Sequence, residues 1–381
     1  MILYNGEIYT MNSAKEIISG GYVEINEGKI ISVGQGKPKN ISQEDIDLEG
    51  KILLPGFVDL HTHMGLMNSG VGIEGEDFNE DSEPVTPQMR VVDAINPCDI
   101  TFEEARNAGV TTVAVSPGST NPIAGNVVAI KTLGRCADKM VVREIGMKFA
   151  LGENPKMTFL TKEETPITRM ATTALIRETL TKAQKYQIQL MRASDPEYDE
   201  PEYDIKLESL IPLLEGEVKA HFHCHRADDI FTALRISKEF NITPVLVHCT
   251  EGHMIADELS NCEAIVGPII SDRSKPELTN VSLENAHILK ENGVKVAVCT
   301  DHSEVPIQYL SLSAGLTMRG GTDRYSALES ITCVPAKIGG IYDKVGSIEK
   351  GKDADLCVFS GSPLDVLSEP NMVMINGKIV K

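Results

Sequence analysis

Short apolar segments alternate with helical segments between residues 51 and 350, and this alternation constrains the fold more than any other feature. Short apolar runs bounded by turn residues are typical of buried strands. The strand candidates are residues 52–60, 110–116, 140–151, 218–224, 244–249, 264–270 and 294–300. Helices are predicted at residues 101–109, 228–240, 282–291 and 326–332, the first opened by a capping box at Thr101. We therefore expect a parallel α/β structure, and a (β/α)₈ barrel of this size is common.

The two chain ends have a different pattern, because both consist of short strand-like segments separated by turns. Residues 1–50 contain alternating apolar and polar positions, and residues 351–381 include an Asn376-Gly377 pair that is typical of a hairpin turn. We expect these ends to pair into one small sheet domain beside the larger unit formed by residues 51–350.

Composition argues against several classes of function. The chain carries 36 lysines and arginines against 55 aspartates and glutamates, and its net charge of −19 disfavours a nucleic-acid partner. No apolar run reaches the roughly 18 residues that a membrane span needs, so no membrane partner is expected. The first residues lack the features of a secretory signal, and the eight cysteines form no CxxC pair. We expect a cytoplasmic protein with reduced thiols.

The histidines carry most of the functional signal. Seven of the nine lie at the end of a predicted strand or just after it: His61, His63, His221, His223, His225, His248 and His302. In a strand, residues i and i+2 project from the same face, so His61 and His63 can converge on one point. Neutral imidazole is the commonest ligand of zinc and related metals. The pattern predicts a metal site where the strands end.

Two separated segments resemble the amidohydrolase superfamily of metal-dependent hydrolases. The first is LPGFVDLHTH at residues 54–63, and the second is VGSIEKGKDADL at residues 345–356. The resemblance is strongest to the imidazolonepropionase-related, dipeptidase-like subgroup. It implies a (β/α)₈ barrel over residues 51–350 and a composite β-sandwich formed by residues 1–50 and 351–381. It also implies a small-molecule substrate and a homo-oligomer.

The resemblance further implies the ligands that follow the other strands. Asp301 matches the family aspartate that binds metal and serves as general base, and His248 matches a family metal ligand in the predicted strand at residues 244–249. In the predicted strand at residues 218–224, His223 is the first choice as metal ligand, with His225 as a substrate contact or catalytic group. The assignment among His221, His223 and His225 stays open.

The predicted strand at residues 140–151 carries a lysine, Lys148, in an otherwise apolar run. A charged amine is costly there unless it is paired or modified. The family pattern implies that Lys148, carbamylated by carbon dioxide, bridges two metals, and Glu153 is the alternative carboxylate. The expected cofactor is one or two Zn²⁺ ions or another divalent metal.

These residues together imply hydrolysis of an amide-type carbon–nitrogen bond by metal-activated hydroxide. Asp301 would take the proton of the water, and His248 or His225 would help to polarise the carbonyl. Substrates such as an N-acyl amino acid, a dipeptide or a cyclic amide fit this chemistry.

Arg226 departs from the pattern of the related deaminases, which carry a glutamate at that position. Arg226 could bind a substrate carboxylate or pair with Asp228 or Asp229. The alternatives are a deaminase, an imidazolonepropionase-like ring opening and a non-catalytic family member.

Overall fold

The computed structural model describes residues 1–38 and 41–381, and these residues contain two large β-sheets. The strands of the first, here called the terminal sheet, are β1 (Ile2–Tyr9), β2 (Ile17–Asn26), β3 (Lys29–Gln35), β4 (Ile46–Asp47), β5 (Ile52–Pro55), β14 (Leu356–Phe359), β15 (Met372–Ile375) and β16 (Lys378–Ile379). The strands of the second, the barrel sheet, are β6 (Phe57–Thr62), β7 (Val110–Val115), β8 (Ile123–Lys131), β9 (Val141–Ala150), β10 (Lys219–Cys224), β11 (Pro244–His248), β12 (Glu263–Val266) and β13 (Lys295–Val298).

The barrel sheet follows chain order from β6 to β13 and is nearly closed. A single parallel bridge between Thr62 and His302 joins its two edges. The expectation of an α/β barrel is confirmed at this level. The pairing is parallel except at β8, which runs antiparallel to both of its neighbours.

Strand β8 corrects the prediction of an all-parallel sheet. The sequence analysis identified no strand at residues 123–131, where a glycine and an asparagine interrupt the apolar run. Gly125 has φ +132°, and a Cβ at this position would lie 2.6 Å from the carbonyl oxygen of Met89. The glycine therefore permits a close approach within the strand, although glycine is more typical of a turn.

The predicted strand at residues 52–60 is in fact two strands. Strand β5 belongs to the terminal sheet and β6 begins the barrel sheet, with Gly56 between them. A Cβ on Gly56 would overlap the side chain of Thr111. The chain can therefore cross from one sheet to the other only where no side chain is present.

The helices confirm most of the predicted segments and add one long helix that the sequence analysis missed. They are α1 (Thr101–Asn107), α2 (Ala137–Met140), α3 (Glu153–Thr161), α4 (Arg169–Arg192), α5 (Ile205–Glu208), α6 (Ile211–Leu214), α7 (Ala227–Phe240), α8 (Asn285–Glu291), α9 (Leu310–Thr317), α10 (Arg324–Glu329) and α11 (Cys333–Ile338). The missed helix is α4. Helix α1 starts at Thr101, but the side chain of Asp99 rather than of Thr101 accepts from the backbone there.

One apolar cluster fills the inside of the barrel sheet below the strand ends. It collects inward residues from β6, β7, β8, β9, β11, β12 and β13, and residues of α11 and the segment after it pack against it. Strand β10 contributes no residue, because its inward positions are His221 and His223, whereas Ala220, Phe222 and Cys224 pack in an outer cluster. The barrel interior is thus apolar except at a few polar side chains, among them His221, His223 and Lys148.

The terminal sheet brings both chain ends together. Strand β14 pairs antiparallel with β5 and with β15, so the C-terminal strands form one side of the sheet and join the N-terminal strands at the β14–β5 pair. That these ends form a sandwich domain separate from residues 51–350 stays a prediction. None of the described helices is long and apolar enough to cross a membrane.

A buried ion pair joins the two sheets. Lys131, the last residue of β8, places its Nζ 2.5 Å from Asp355 and 2.9 Å from Asp353. The Lys131 side chain is 8% exposed and that of Asp355 is 3% exposed. Lys29 pairs with the same Asp353 at 2.6 Å, but its own side chain is 51% exposed.

We expect Lys131→Met to lower the free energy of unfolding by about 3–5 kcal/mol, because it leaves the buried Asp355 carboxylate without its partner. The matched control Lys29→Met should change it by about 1 kcal/mol or less, since that pair is largely exposed. Urea denaturation of the three proteins measures both effects. Equal effects of the two substitutions would contradict this view of the buried pair.

Candidate metal centre

The side chains singled out by the sequence converge at the carboxyl ends of the barrel strands. His61 lies near the end of β6, His223 lies in β10, and His248 is the last residue of β11. His63 and Asp301 lie just beyond β6 and β13. These residues form two compact groups of potential metal ligands, His61–His63–Asp301 and His223–His225–His248.

The first group consists of two imidazoles around one carboxylate. Oδ1 of Asp301 lies 3.2 Å from Nε2 of His61 and 3.5 Å from Nε2 of His63. Nδ1 of His63 donates to the carbonyl oxygen of Ser116 at 2.7 Å. Because a carbonyl can only accept, Nε2 of neutral His63 presents a lone pair to a carboxylate that also has only lone pairs. A cation between these atoms would remove that conflict.

The second group is built from three imidazoles. The rings of His225 and His248 stack in parallel with centroids 4.5 Å apart, and His223 meets both edge-on at 4.7 and 4.6 Å. Nδ1 of His248 donates to the carbonyl oxygen of Gly267 at 2.7 Å, and Nδ1 of His225 lies 2.8 Å from Oγ1 of Thr250. Metal-binding histidines commonly hold their second nitrogen in this way.

Several buried nitrogen atoms of these groups have no hydrogen-bond partner. Both nitrogens of His61 and of His223 are in this state among the described residues. Unpaired buried polar atoms are rare in folded proteins and indicate a functional constraint or an unseen ligand. The donor set therefore fits one or more divalent cations.

The backbone has an irregular conformation at two of the candidate ligands. The alternation that puts Val245 and Val247 inside the barrel would send His248 outward with Leu246. The left-handed conformation at His248, with φ +72°, breaks this alternation, and Asp301 also has a positive φ of +53°. Such strained positions are concentrated at functional sites.

Burial sets the charge state of the candidate ligands. It lowers the pKa of His248 to about 4 and of His221 to about 3, and it holds the pKa of His61 well below its ordinary value. Burial alone would raise the pKa of Asp301, but the imidazoles of His248, His61 and His63 hold it well below its usual range. Neutral imidazoles and an ionised carboxylate are the forms that bind metal.

Lys148 lies inside the barrel on β9, in register with His221 of β10. Its side chain is fully buried, and its Nζ has no hydrogen-bond partner among the described residues. Burial lowers the pKa of this amine to about 8. The amine therefore loses its proton more readily than an ordinary lysine, and the neutral amine is the form that reacts with carbon dioxide.

The structure does not bring every predicted site residue to these groups. Arg226 is exposed and forms a bidentate ion pair with Asp228 at 2.9 and 3.0 Å. Glu153, the alternative to Lys148, is the first residue of α3, and its backbone N–H donates to Glu277. His302 accepts from the backbone of Ile307 through Nδ1 at 3.1 Å.

Two buried acids near the ligands were missed by the sequence analysis. Oδ1 of Asp59 accepts from the backbone N–H of His61, and its Oδ2 accepts from the backbone and hydroxyl of Thr300 at 3.0 and 2.6 Å. Its place within the apolar run of β6 was a usable signal. Glu277 lies beside His223 and His225, and nothing in its polar loop distinguishes it.

A cavity of about 440 Å³ opens over both groups. Its wall includes His63, His223, His225, His248 and Asp301, together with Lys275. Its remaining surface mixes hydroxyl and amide groups with the apolar side chains of Met67, Phe78, Met157 and Leu278. A cavity of this size and mixed lining is typical of a small-molecule site.

The sequence model of the amidohydrolase family matches residues 52–380. The chain belongs to the amidohydrolase family. Amidohydrolase tasK of Hapsidospora irregularis is 29% identical over 392 aligned residues, which cover 94% of this chain and 39% of that protein. The chain therefore spans about two fifths of the length of this relative.

Two further proteins are similar to this amidohydrolase. The crystal structure of an amidohydrolase from Thermotoga maritima MSB8 superposes with a TM-score of 0.96 at 37% identity, covering 100% of this chain and 99% of the other. A 5-methylthioadenosine/S-adenosylhomocysteine deaminase of Bacillus cereus (strain B4264) is 44% identical over 62 residues, 16% of this chain and 14% of that protein. The predicted family resemblance is confirmed, and it supports the prediction of a hydrolase that acts on carbon–nitrogen bonds.

We expect Asp59→Ala to lower the free energy of unfolding by about 1–3 kcal/mol, because it leaves buried donors of His61 and Thr300 without an acceptor. Thr300→Val removes one of these hydrogen bonds and should lower the free energy of unfolding by less than Asp59→Ala does. Chemical denaturation measures both variants. Wild-type stability of Asp59→Ala would show that this carboxylate does not hold β6 and the end of β13 together.

Proposed function

We propose that this amidohydrolase is a metal-dependent enzyme that hydrolyses an amide-type carbon–nitrogen bond in a small molecule. The observation that carries the proposal is the pair of buried ligand groups at the floor of one cavity. Their unpaired imidazole nitrogens and the carboxylate facing them make a donor set suited to Zn²⁺ or another divalent cation.

The proposed ligands of the first ion are His61, His63 and Asp301. The proposed ligands of the second are His223 and His248, with Lys148 joining the two sites as a carbamate. The free, fully buried amine of Lys148 and its lowered pKa support this role. A bound divalent cation lowers the pKa of a water molecule toward neutrality and polarises a carbonyl oxygen.

Asp301 is the proposed general base. Its Oδ1 faces His61 and His63, and its Oδ2 lies 3.9 Å from Nδ1 of His248. The residue also lines the cavity. Because its pKa is held low, the carboxylate is ionised and can accept a proton from water. It then returns this proton to the leaving nitrogen as the carbon–nitrogen bond breaks. His225 and His248 line the cavity where the carbonyl oxygen would lie.

N-acyl amino acids, dipeptides and cyclic amides are the proposed substrates. The cavity is of the right size for them, and Lys275 places an ammonium group in its wall. Such a cation can bind a substrate carboxylate. The position of Arg226 in an exposed pair with Asp228 favours Lys275 for this role.

A deaminase is the second candidate, and the local likeness to the Bacillus cereus deaminase is the observation that favours it. A deaminase would release ammonia from a heterocycle, whereas an amidohydrolase acting on a dipeptide or N-acyl amino acid produces a carboxylate. Assaying the purified protein for both products, against purine nucleosides and against N-acyl amino acids and dipeptides, separates the two candidates.

We expect Asp301→Asn to lower kcat by about 10²–10⁴-fold, because the amide cannot accept the proton of the attacking water. Asp343→Asn removes a carboxylate from an exposed ion pair with Arg143 and should leave kcat unchanged. Steady-state kinetics on the substrate found above measures both variants. Full activity of Asp301→Asn would exclude the proposed role of this residue.

We expect Lys148→Met to lower the metal content from about two equivalents to about one or fewer, because the bridging carbamate is lost while the side-chain volume is kept. The exposed Lys139→Met is the control. Elemental analysis of protein purified without chelator gives the stoichiometry. Unchanged metal content in Lys148→Met would exclude a bridging role.

A further inference from the structure

Glu277 is a buried acid that the mechanism above does not use. It lies in a short 3₁₀ turn, Pro276–Leu278, in the segment that follows β12. The residue is 1% exposed, and its Oε1 forms an ion pair with Nζ of Lys275 at 2.7 Å. Its other oxygen, Oε2, accepts from the backbone N–H of Glu153 at 3.1 Å. One oxygen is therefore anchored at the start of α3, and the other points elsewhere.

Oε1 of Glu277 points at the second histidine group. It lies 3.5 Å from Nε2 of His225 and 3.7 Å from Nε2 of His223. In the first group, Oδ1 of Asp301 lies 3.2 and 3.5 Å from the Nε2 atoms of two histidines. The two sets have the same composition and nearly the same spacing.

This spacing is what a shared cation requires. With bonds of about 2.0–2.1 Å in tetrahedral geometry, two ligand atoms on one zinc ion lie about 3.3 Å apart. The distances around Oε1 of Glu277 exceed this value by a few tenths of an ångström. Direct hydrogen bonds would be shorter, near 2.7–3.0 Å.

We propose that Glu277 is a ligand of the second divalent cation, together with His223 and His225. The inference rests on the proposed metal-dependent function and changes its ligand set, since His225 becomes a ligand rather than a substrate contact. Each cation would then have its own two histidines and one carboxylate. His248 lies between the sets, with its ring centroid 4.6 Å from that of His223 and 5.3 Å from that of His61.

Lys275 supplies the positive charge that Glu277 needs when no cation is bound. Its Nζ lies 2.7 Å from Oε1 of Glu277 and 3.0 Å from Oδ1 of Asn154. A divalent cation bound at Oε1 would displace this ammonium group from the carboxylate while Asn154 still holds it. The displaced ammonium would face the cavity, where a substrate carboxylate can bind. Lys275 therefore competes with the second cation.

The experiment is a titration of chelator-treated full-length protein with Zn²⁺, followed by isothermal calorimetry and elemental analysis. Wild type should bind two cations. Glu277→Gln should keep the first and bind the second more than about 100-fold more weakly, beyond the 10–100-fold loss that follows removal of an outer-shell partner. Lys275→Met should have the opposite effect and tighten the second site at least about tenfold, because the competing charge is gone.

Glu304→Gln is the matched control, because Glu304 is a carboxylate in the wall of the same cavity and forms no ion pair with a histidine among the described residues. It should bind both cations as wild type does. The proposal would be overturned if Glu277→Gln bound both cations with wild-type affinity. It would also be overturned if Lys275→Met bound the second cation with the same affinity as wild type or more weakly. If Glu277→Gln does not fold, the direction of the Lys275→Met effect still decides.

The failure of this inference differs from the failure of the proposed function. A wild type that binds one cation, lost in His61→Ala and unaffected in Glu277→Gln, would overturn the Glu277 assignment and leave a metal-dependent hydrolase. A wild type that binds no cation at either group would overturn both.

Discussion

The side chain of Asp59 is the connection on which the site most depends. The barrel sheet closes between β6 and the end of β13 through a single backbone bridge, so few main-chain hydrogen bonds join these edges. Asp59 accepts two hydrogen bonds across the gap, both from Thr300, and a third within β6 from the backbone N–H of His61. Of the two donor residues, His61 is itself a proposed ligand, and Thr300 immediately precedes the proposed ligand Asp301. The same carboxylate thus closes the barrel and fixes the spacing of the first metal group.

The side chains at the floor of the cavity lower the stability of the folded protein. Buried imidazoles with unpaired nitrogens, a buried lysine and two ligands with positive φ are each unfavourable in isolation. A divalent cation compensates for these costs, because it satisfies the lone pairs of several buried groups at once. The apolar interior below and the helices outside supply the stability that allows this arrangement.

The second histidine group shows how a cation and a substrate can be coupled. The carboxylate of Glu277 faces two imidazoles and the ammonium group of Lys275 at the same time. Only one positive charge can occupy the position beside Oε1. On the proposal that Glu277 binds the second cation, its binding and exposure of the Lys275 ammonium to the cavity would be linked by charge balance.

Local sequence patterns predicted the barrel strands other than β8 and placed His61, His63 and His248 at or near strand ends, since strand periodicity and strand ends are local properties. The family resemblance, which the family model confirms, singled out Asp301. The antiparallel strand β8 escaped detection, because Gly125 serves a close approach to Met89 that only the folded chain creates. Glu277 and the exposed pairing of Arg226 were likewise decided by the tertiary structure. The charge environment of a loop residue depends on which distant strand ends it packs against, and no local pattern records that packing.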